Sequence, residues 1–492
     1  MIQSVSVPVS ASGARRPAAV LIVMAASVLL AAVWLVFSYG YLEDDAFIHL
    51  DFARSVAEGA GFAFDGTPTN GDTAPLWALA LTLLHALGLD WFAAAKVACI
   101  VGLILAVGAV VRLLADLPCR ESNRHSLIAT AVAVTLLNPY FVRWSFSGME
   151  AVAAFGVSVW IIWAVFTTSA SWGKLALGAL LIGAGPLLRP EFLLLGGLAG
   201  PVLLWKTWQL CERGSRTQAL VYATGLTLLM VLPLAAWIVY ALHAFGSIIP
   251  NTNLAKRGGS LLELGPRLVS VYVAGFPVTL ALLPFVAREV KSWRKPVAVL
   301  MLFVWPITCI AFYLLDHTVV QTRYCLVSMP CMSIAVLWLL SASGRDTWFR
   351  AAAVGMATIA LLSTAFAVVP LVASKTRATA AYSAMSRYIR DHVPPKASVA
   401  VYAIGQVAFE SGHPVVDIGG ITRPAVIPLM SDPKATLRWA KEQGARYFIG
   451  NEGSPEPGAK RLFETSKPYL GWTLSRSRQQ TTDALVLYEL HP

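Results

Sequence analysis

The sequence predicts an all-α polytopic membrane domain of about eleven transmembrane helices, followed by a small extracytoplasmic α/β domain. Three observations point there. Of 492 residues, 57% are hydrophobic and 13% charged, with a mean hydropathy of +0.65, whereas soluble domains carry about 25% charged residues. Apolar runs recur as far as residue 374, and the composition turns polar and Pro/Gly-rich after it. The same arithmetic excludes disorder and collagen-like repetition, and six cysteines are too few for a disulfide scaffold. The formal charge of +11 first suggests nucleic acid or anionic lipid. In a chain this apolar it reads instead as the charge bias of membrane loops, and no nucleic-acid partner is expected.

The first span runs from about Ala18 to Gly40, 23 residues without a charge, enough to cross a bilayer. Arg15 and Arg16 precede it, and Phe37-Ser38-Tyr39-Gly40-Tyr41 offers no cleavage site. It therefore reads as an uncleaved helix with a cytoplasmic N-terminus. Further apolar segments lie near 93–114, 126–142, 151–166, 174–188, 192–206, 217–243, 268–287, 296–315, 324–341 and 351–374. The run 75–89 is short and ends at Gly88-Leu89-Asp90, so it reads as a packed or interfacial helix. Leaving it out places Arg112, Arg120, Arg124, Lys174, Lys206, Arg213 and Arg216 in the cytoplasm, with Arg288, Lys291, Arg294, Lys295, Arg345 and Arg350. Counting it would reverse every one of those loops.

Residues 1–374 thus form the membrane domain, with a first outer loop at 41–74, and residues 375–492 the soluble one. The latter has β-like runs at Ser398–Ile404, Pro414–Ile418, Arg446–Ile449 and Ala484–Leu490, with helix-like stretches near Ala380–His392 and Ala435–Gln443. An odd number of spans puts it outside the cytoplasmic membrane. Cys99, Cys309, Cys325 and Cys331 fall in spans and Cys119 and Cys211 in cytoplasmic loops, so no disulfide is expected.

Polar residues collect in the outer loops. The first begins Glu43-Asp44-Asp45 and continues as an amphipathic helix, Ala46–Glu58, whose Phe47, Leu50, Ala53 and Val56 face lipid or protein. Asp45 and His49 are four apart on its polar side, as are Arg54 and Glu58. Acidic residues commonly flank outer helix ends, yet charge at membrane depth usually serves a pathway or a site. Later outer loops supply Arg143, Glu150, Arg189, Glu191, Asn251, Lys256, Asp316, His317 and Arg323. Acids and bases from five loops on one face read as a site assembled between helices.

The order of motifs resembles the glycosyltransferase C superfamily, membrane enzymes that use polyprenyl-phosphate-linked sugars. The carrying residues are Asp44-Asp45-Ala46-Phe47-Ile48, Ala53-Arg54, Glu58-Gly59, Thr73-Ala74-Pro75-Leu76-Trp77 and Ser147-Gly148-Met149-Glu150. They continue with Arg189-Pro190-Glu191, Pro250-Asn251-Thr252 with Lys256, Arg323-Tyr324, Ala403-Ile404-Gly405-Gln406 and Asp417-Ile418-Gly419-Gly420. The nearest look is to the bacterial terminal arabinofuranosyltransferase and pilin arabinosyltransferase branch. The resemblance implies a GT-C-type fold and a catalytic or metal-binding carboxylate at Asp44 or Asp45, between which the sequence does not choose. It also implies a second polar position at Glu150 and a phosphate-binding base, best matched by Arg323. His49, Arg54, Arg189, Asn251 and Lys256 complete the substrate-binding candidates. The chain departs from the family pattern at His49, where a small polar residue is expected, and at Asn70-Gly71-Asp72, where an aromatic is expected.

Sugar transfer from a lipid phosphate needs a base for the acceptor hydroxyl and cations for the departing phosphate. Asp44 or Asp45 would supply the first and Arg323 the second, with the bilayer holding the polyprenyl tail. Asp44, Asp45 and Glu150 are also candidate ligands for Mg²⁺ or Mn²⁺. No Gly-rich phosphate loop is present, so a nucleotide cofactor or donor is not expected. The acceptor would be a cell-envelope glycan or a surface protein. The competing class is a transporter or flippase of a lipid-linked saccharide. Against it, the two halves of the chain show no internal repeat.

Overall fold

The computed structural model describes residues 12–211, 216–258, 260–290, 296–450, 456–469 and 481–491. Helix α1 (Ser12–Phe37) leads to the loop that carries α2 (Asp44–Ala57), the hairpin β1 (Ala63–Phe64) and β2 (Thr67–Pro68), and α3 (Pro75–Ala86). Then come α4 (Trp91–Asp116), α5 (Glu121–Leu137), α6 (Pro139–Trp144), α7 (Ala151–Phe166), α8 (Trp172–Ala184), α9 (Phe192–Cys211) and α10 (Arg216–Phe245). The membrane part closes with α11 (Asn251–Ala255), α12 (Leu261–Gly275), α13 (Pro277–Val290), α14 (Val297–Leu315), α15 (Thr322–Leu326), α16 (Met329–Ala342) and α17 (Asp346–Ser363).

Helix α4 defines the axis of the bundle. Asp90 caps it by accepting from the Ala93 amide at 3.0 Å. One turn in, the buried Lys96 donates to the carbonyls of Ser38, Tyr41 and Phe146 at 3.0, 2.6 and 2.6 Å. These bonds satisfy a charge that burial would otherwise penalise, and they tie the starts of the first and second loops together. At the far end Asp116 accepts from Lys174 at 2.8 Å, roughly 30 Å away along the helix. There Lys206 donates to the Thr167 carbonyl and Asn123 to Asp346. The basic segments around 112–124, 167–174, 206 and 344–346 therefore meet at one end, and the loops rich in acids and bases at the other. Arg213, Lys291, Arg294 and Lys295 lie outside the described residues, as do the side chains of Arg15, Arg16, Arg216 and Arg288.

Five described helices are long and apolar enough to cross a membrane, and a sixth span results if the bent pair α12–α13 is counted as one; several others are apolar but shorter. Length alone thus falls short of eleven. Two expected spans are broken. The segment 126–142 stops at Asn138, whose side chain accepts from the amides of Tyr140 and Phe141 and starts α6. The segment 268–287 is split by a 100° bend between α12 and α13, where Pro277 has no amide to continue the ladder. The run 75–89 forms α3, whose two ends both lie near the loop end: Ala74 binds Asp72, and His85 stacks on Trp91.

The last apolar helix does not stop at 374. It passes through a π-helical turn at Thr364–Val368 into α18 (Val369–His392), which carries the chain into the polar domain. That domain holds β3 (Ser398–Val401), α19 (Ile404–Ser411), β4 (Val415–Asp417), α20 (Pro433–Glu442), β5 (Ala445–Gly450), β6 (Lys460–Tyr469) and β7 (Thr481–Glu489). The sheet order is β4-β3-β5-β7-β6, parallel across its first three strands and antiparallel across the rest. Helix α19 and strand β6 had no clear sequence signal. The first is a short crossover helix ended by Gly412 in the left-handed region at φ 67°.

Candidate functional site

Helix α2 was expected to lie along the interface with one face on lipid or protein. Instead the whole of Ala46–Ala53 is buried, His49 and Asp51 included, because α3 packs on one side and α19 on the other. The second loop comes close enough to close the site because Gly148 has φ 85° and no side chain. A Cβ there would stand 2.7 Å from that of Ala46. Its carbonyl accepts from the Trp77 indole at 2.9 Å, and the Ser147 carbonyl accepts from the Glu43 amide.

The adjacent carboxylates part company here. Asp44 turns to the polar domain and accepts from the amides of Gly405 (3.2 Å) and Gln406 (3.0 Å). It thereby caps α19, which has no side-chain cap of its own. Burial, opposed by those amides and aided by the Asp45 charge, pushes the Asp44 carboxyl up to about 6. Asp45 turns inward, 2.5 Å from Arg323 and 3.8 Å from Lys256. Burial works against its charge, but Arg323, Lys256 and His49 hold it well below the usual carboxylate range.

Asp45 lines a half-open cavity of about 750 Å³, counting its mouth. With it stand His49, Asp72, Glu150, Arg189, Glu191, Lys256, Tyr313, Arg323 and Tyr324 from the membrane part, and Ile421 from the polar domain. His49 Nδ1 is 3.0 Å from Asp72 and its Nε2 3.6 Å from Glu150. Burial opposes its charge, yet Asp72 and then Glu150 push the imidazole up to about 10, so it is a cation at neutral pH. Arg189 bridges Glu150 and Glu191, each at 2.7 Å. Glu150 is held well below its ordinary range by His49 and Arg189 in spite of burial. Tyr313 donates to Glu191 at 2.5 Å. Arg323, 4% exposed, also stands over the rings of Trp144 and Tyr324, so it is not an arginine reaching for lipid headgroups.

Of the sequence candidates, the cavity gathers Asp45, His49, Glu150, Arg189, Lys256 and Arg323. Asp44, Arg54 and Asn251 stand outside it. Arg54 pairs with Asp51, donates to the Phe409 carbonyl at 2.9 Å and covers the Phe409 ring, so it fastens α2 to α19. Asn251 donates to Thr69 and its amide to the Asn70 carbonyl, tying the third loop to the first. Asp72 and Glu191 were not among the candidates. Asp72 also accepts from the Ala74 amide at 2.7 Å, the mark of a turn before a helix, which conceals its second role.

The proposed metal set does not fit. Asp44 faces backbone amides on α19, Asp45 an arginine, and Glu150 an arginine and an imidazole. Among the described residues no group of three His, Cys, Asp or Glu side chains is arranged to hold a metal ion.

Around the cavity the polar domain is fastened to the first loop. Asp65 accepts from the Val415 amide at 2.7 Å, Thr69 donates to the Thr422 carbonyl, and Thr379 to the Leu42 carbonyl. Glu43 pairs with Arg143 and Lys375, and these outweigh burial to hold it at about 2. Asp417 accepts from the amides of Gly419, Gly420 and Thr422, which shapes the turn carrying Ile421.

Comparison with known proteins places this architecture. The chain is similar to ArnT from Cupriavidus metallidurans, solved bound to undecaprenyl phosphate, with a TM-score of 0.61 at 14% identity over 98% of this chain and 99% of that one. It is similar to the arabinofuranosyltransferase AftD from mycobacteria, with a TM-score of 0.52 at 14% identity over 94% of this chain and 39% of that one. In sequence it is 28% identical over 296 residues to a terminal β-(1→2)-arabinofuranosyltransferase of Mycobacterium tuberculosis. That match covers 54% of this chain and 45% of the relative, so the chain spans about half the length of the curated protein it matches. Residues 372–488 match a family described as a domain of unknown function, DUF8728. All three named relatives are GT-C glycosyltransferases, so the resemblance read from the motifs is borne out and the fold is of that type.

Proposed function

We propose that the protein is a membrane glycosyltransferase that moves a sugar from a polyprenyl-phosphate carrier to an acceptor hydroxyl at the outer face of the cytoplasmic membrane. The observation that carries this reading is the pairing of Asp45 with Arg323 and Lys256 in the cavity at the loop end of the bundle. The shared fold with a protein solved on undecaprenyl phosphate supports the carrier. The name of the curated relative supports arabinofuranose as the sugar; the acceptor in this reading is a cell-envelope glycan or a surface protein.

In this reading the donor phosphate competes with Asp45 for Arg323 and Lys256. Before it binds, those cations keep Asp45 too acidic to take a proton well. Once they turn to the phosphate, Asp45 loses two positive neighbours and gains basicity where a base is needed. The acceptor oxygen then bonds to the anomeric carbon and its proton passes to Asp45. The carbon–oxygen bond to phosphate breaks, and its electron pair leaves with the polyprenyl phosphate. Arg323 and Lys256 offset the extra charge that develops there. Arg323 has planar donors suited to phosphate oxygens, whereas Lys256 acts as a point charge.

The test is transfer by the full-length protein in lipid nanodiscs, with a polyprenyl-phosphate arabinofuranose donor and cell-envelope glycan fragments as acceptors. Transfer lost in Asp45→Asn supports the reading. Translocation of the donor without transfer would favour a flippase and overturn it.

A further inference from the structure

Among the described residues, five buried polar atoms around the cavity have no hydrogen-bond partner: His49 Nδ1, Asp72 Oδ2, Glu150 Oε2, Arg323 Nε and Thr252 Oγ1. Two of them still face an opposite charge, His49 Nδ1 at 3.0 Å from Asp72 Oδ1 and Glu150 Oε2 at 3.6 Å from His49 Nε2. Buried polar groups are ordinarily paired, and unpaired ones in one cavity point to a ligand that completes them. They fall into two chemistries. Arg323 stands with Lys256 beside Asp45. Asp72 and Glu150 flank His49, one helical turn from Asp45 on α2, a separation of about 6 Å.

We propose that Asp72, His49 and Glu150 form the subsite for the uncharged, hydroxyl-bearing face of the transferred sugar, with Asp72 Oδ2 and Glu150 Oε2 as acceptors. This rests on the glycosyltransferase reading above. Phosphate is excluded by the two carboxylates. An ammonium group is disfavoured because these acids already share the protonated His49, and Glu150 also holds Arg189. Neutral hydroxyls remain. They donate to Asp72 Oδ2 and Glu150 Oε2, which no hydrogen bond occupies, without disturbing the charge balance, which across the cavity is four acids (Asp45, Asp72, Glu150, Glu191) to four bases (His49, Arg189, Lys256, Arg323). A sugar ring bridges the distance from the reacting carbon at Asp45 to this subsite. His49 and Asp72, the last residue of the Asn70-Gly71-Asp72 stretch, hold each other in place.

The experiment compares two lipids on the full-length protein in nanodiscs: undecaprenyl phosphate, and a polyprenyl phosphate bearing arabinofuranose. Asp72→Asn keeps an oxygen for the Ala74 amide but weakens the acceptor. It is expected to lower affinity for the sugar-bearing lipid about ten- to a hundredfold and to leave undecaprenyl phosphate binding within about twofold. Glu150→Gln, which also loosens Arg189, serves as the second variant, with retained undecaprenyl phosphate binding as its folding control. A lipid bearing an amino-pentose should bind more weakly than the neutral one. Unchanged affinity of Asp72→Asn for the sugar-bearing lipid overturns the subsite, as does an equal loss for both lipids. Failure of the wild type to bind undecaprenyl phosphate would instead remove the glycosyltransferase reading, and the subsite with it.

Discussion

Asp44 and Asp45 are chemically identical neighbours with opposite surroundings, and substitution separates their roles. Asp45→Asn removes the charge facing Arg323 and is expected to cut turnover on the order of 10²–10⁴-fold with the fold intact, the usual scale for a lost general base. Asp44→Asn still presents a carbonyl oxygen to the α19 amides and should stay well above that level. Equal loss in both variants would return Asp44 to the catalytic group. Arg323→Lys discriminates in the same way. A snorkelling cation would tolerate the change, whereas a buried guanidinium that meets both Asp45 and phosphate should lose donor affinity and turnover together, by about 1–3 kcal/mol. Parallel kinetics and donor-binding curves for the three variants check these outcomes.

Among the elements, α2 and α19 decide how the polar domain meets the membrane part. A Cβ on Gly405 would lie 2.1 Å from the Asp44 carbonyl oxygen, an overlap with backbone that no rotamer relieves. Gly405→Ala should therefore undock α19, at a cost on the order of 1–3 kcal/mol, seen as faster proteolysis at Ile404–Ser411. The same junction sets a pH dependence. Asp44 and Asp65 are both pushed up to about 6, so their contribution strengthens as pH falls toward 4 and is lost as pH rises through 6. Glu43, held at about 2, acts oppositely: its contribution is present above the ordinary 4.5 and lost as pH falls toward 2. His49, raised to about 10, contributes fully below its ordinary 6.5 and weakens as pH rises through 10. Thermal stability in detergent should thus peak near pH 5, and a steady rise from pH 5 to 8 would contradict the assignment. These elements also mark what the sequence could show. Long apolar periods gave α4, α10 and α14 to within two residues at each end, because crossing a bilayer imposes length and composition. Helix α19 was invisible because its cap is Asp44, some 360 positions away. The bend at Pro277 was hidden inside an unbroken apolar run. In the cavity, motif residues pointing inward were legible, but Asp72 looked like a turn and Arg54 like a ligand, since sequence spacing does not reveal which face another domain will cover.

For the molecule as a whole, the two ends of the bundle differ in what they gather. One holds the basic segments 112–124, 167–174 and 344–346, and the other the cavity and the polar domain. The polar domain and the first loop must share a side, because Asp65 accepts from the Val415 amide and Glu43 pairs with Lys375. Excess Lys and Arg mark the cytoplasmic side, so the function proposed above requires the cavity to lie on the opposite one. Single cysteines at Thr67 and Glu442, both exposed, should label with a membrane-impermeant thiol reagent in spheroplasts, in a background with Cys119→Ser. A cysteine at the exposed Thr168, beside Lys174 and Lys206, should label only after permeabilisation. The reverse pattern would keep the architecture and invert its orientation, moving the acceptor to the cytoplasm. Disagreement between Thr67 and Glu442 would be the graver result, because it would break the contacts through which the polar domain brings Ile421 to the cavity.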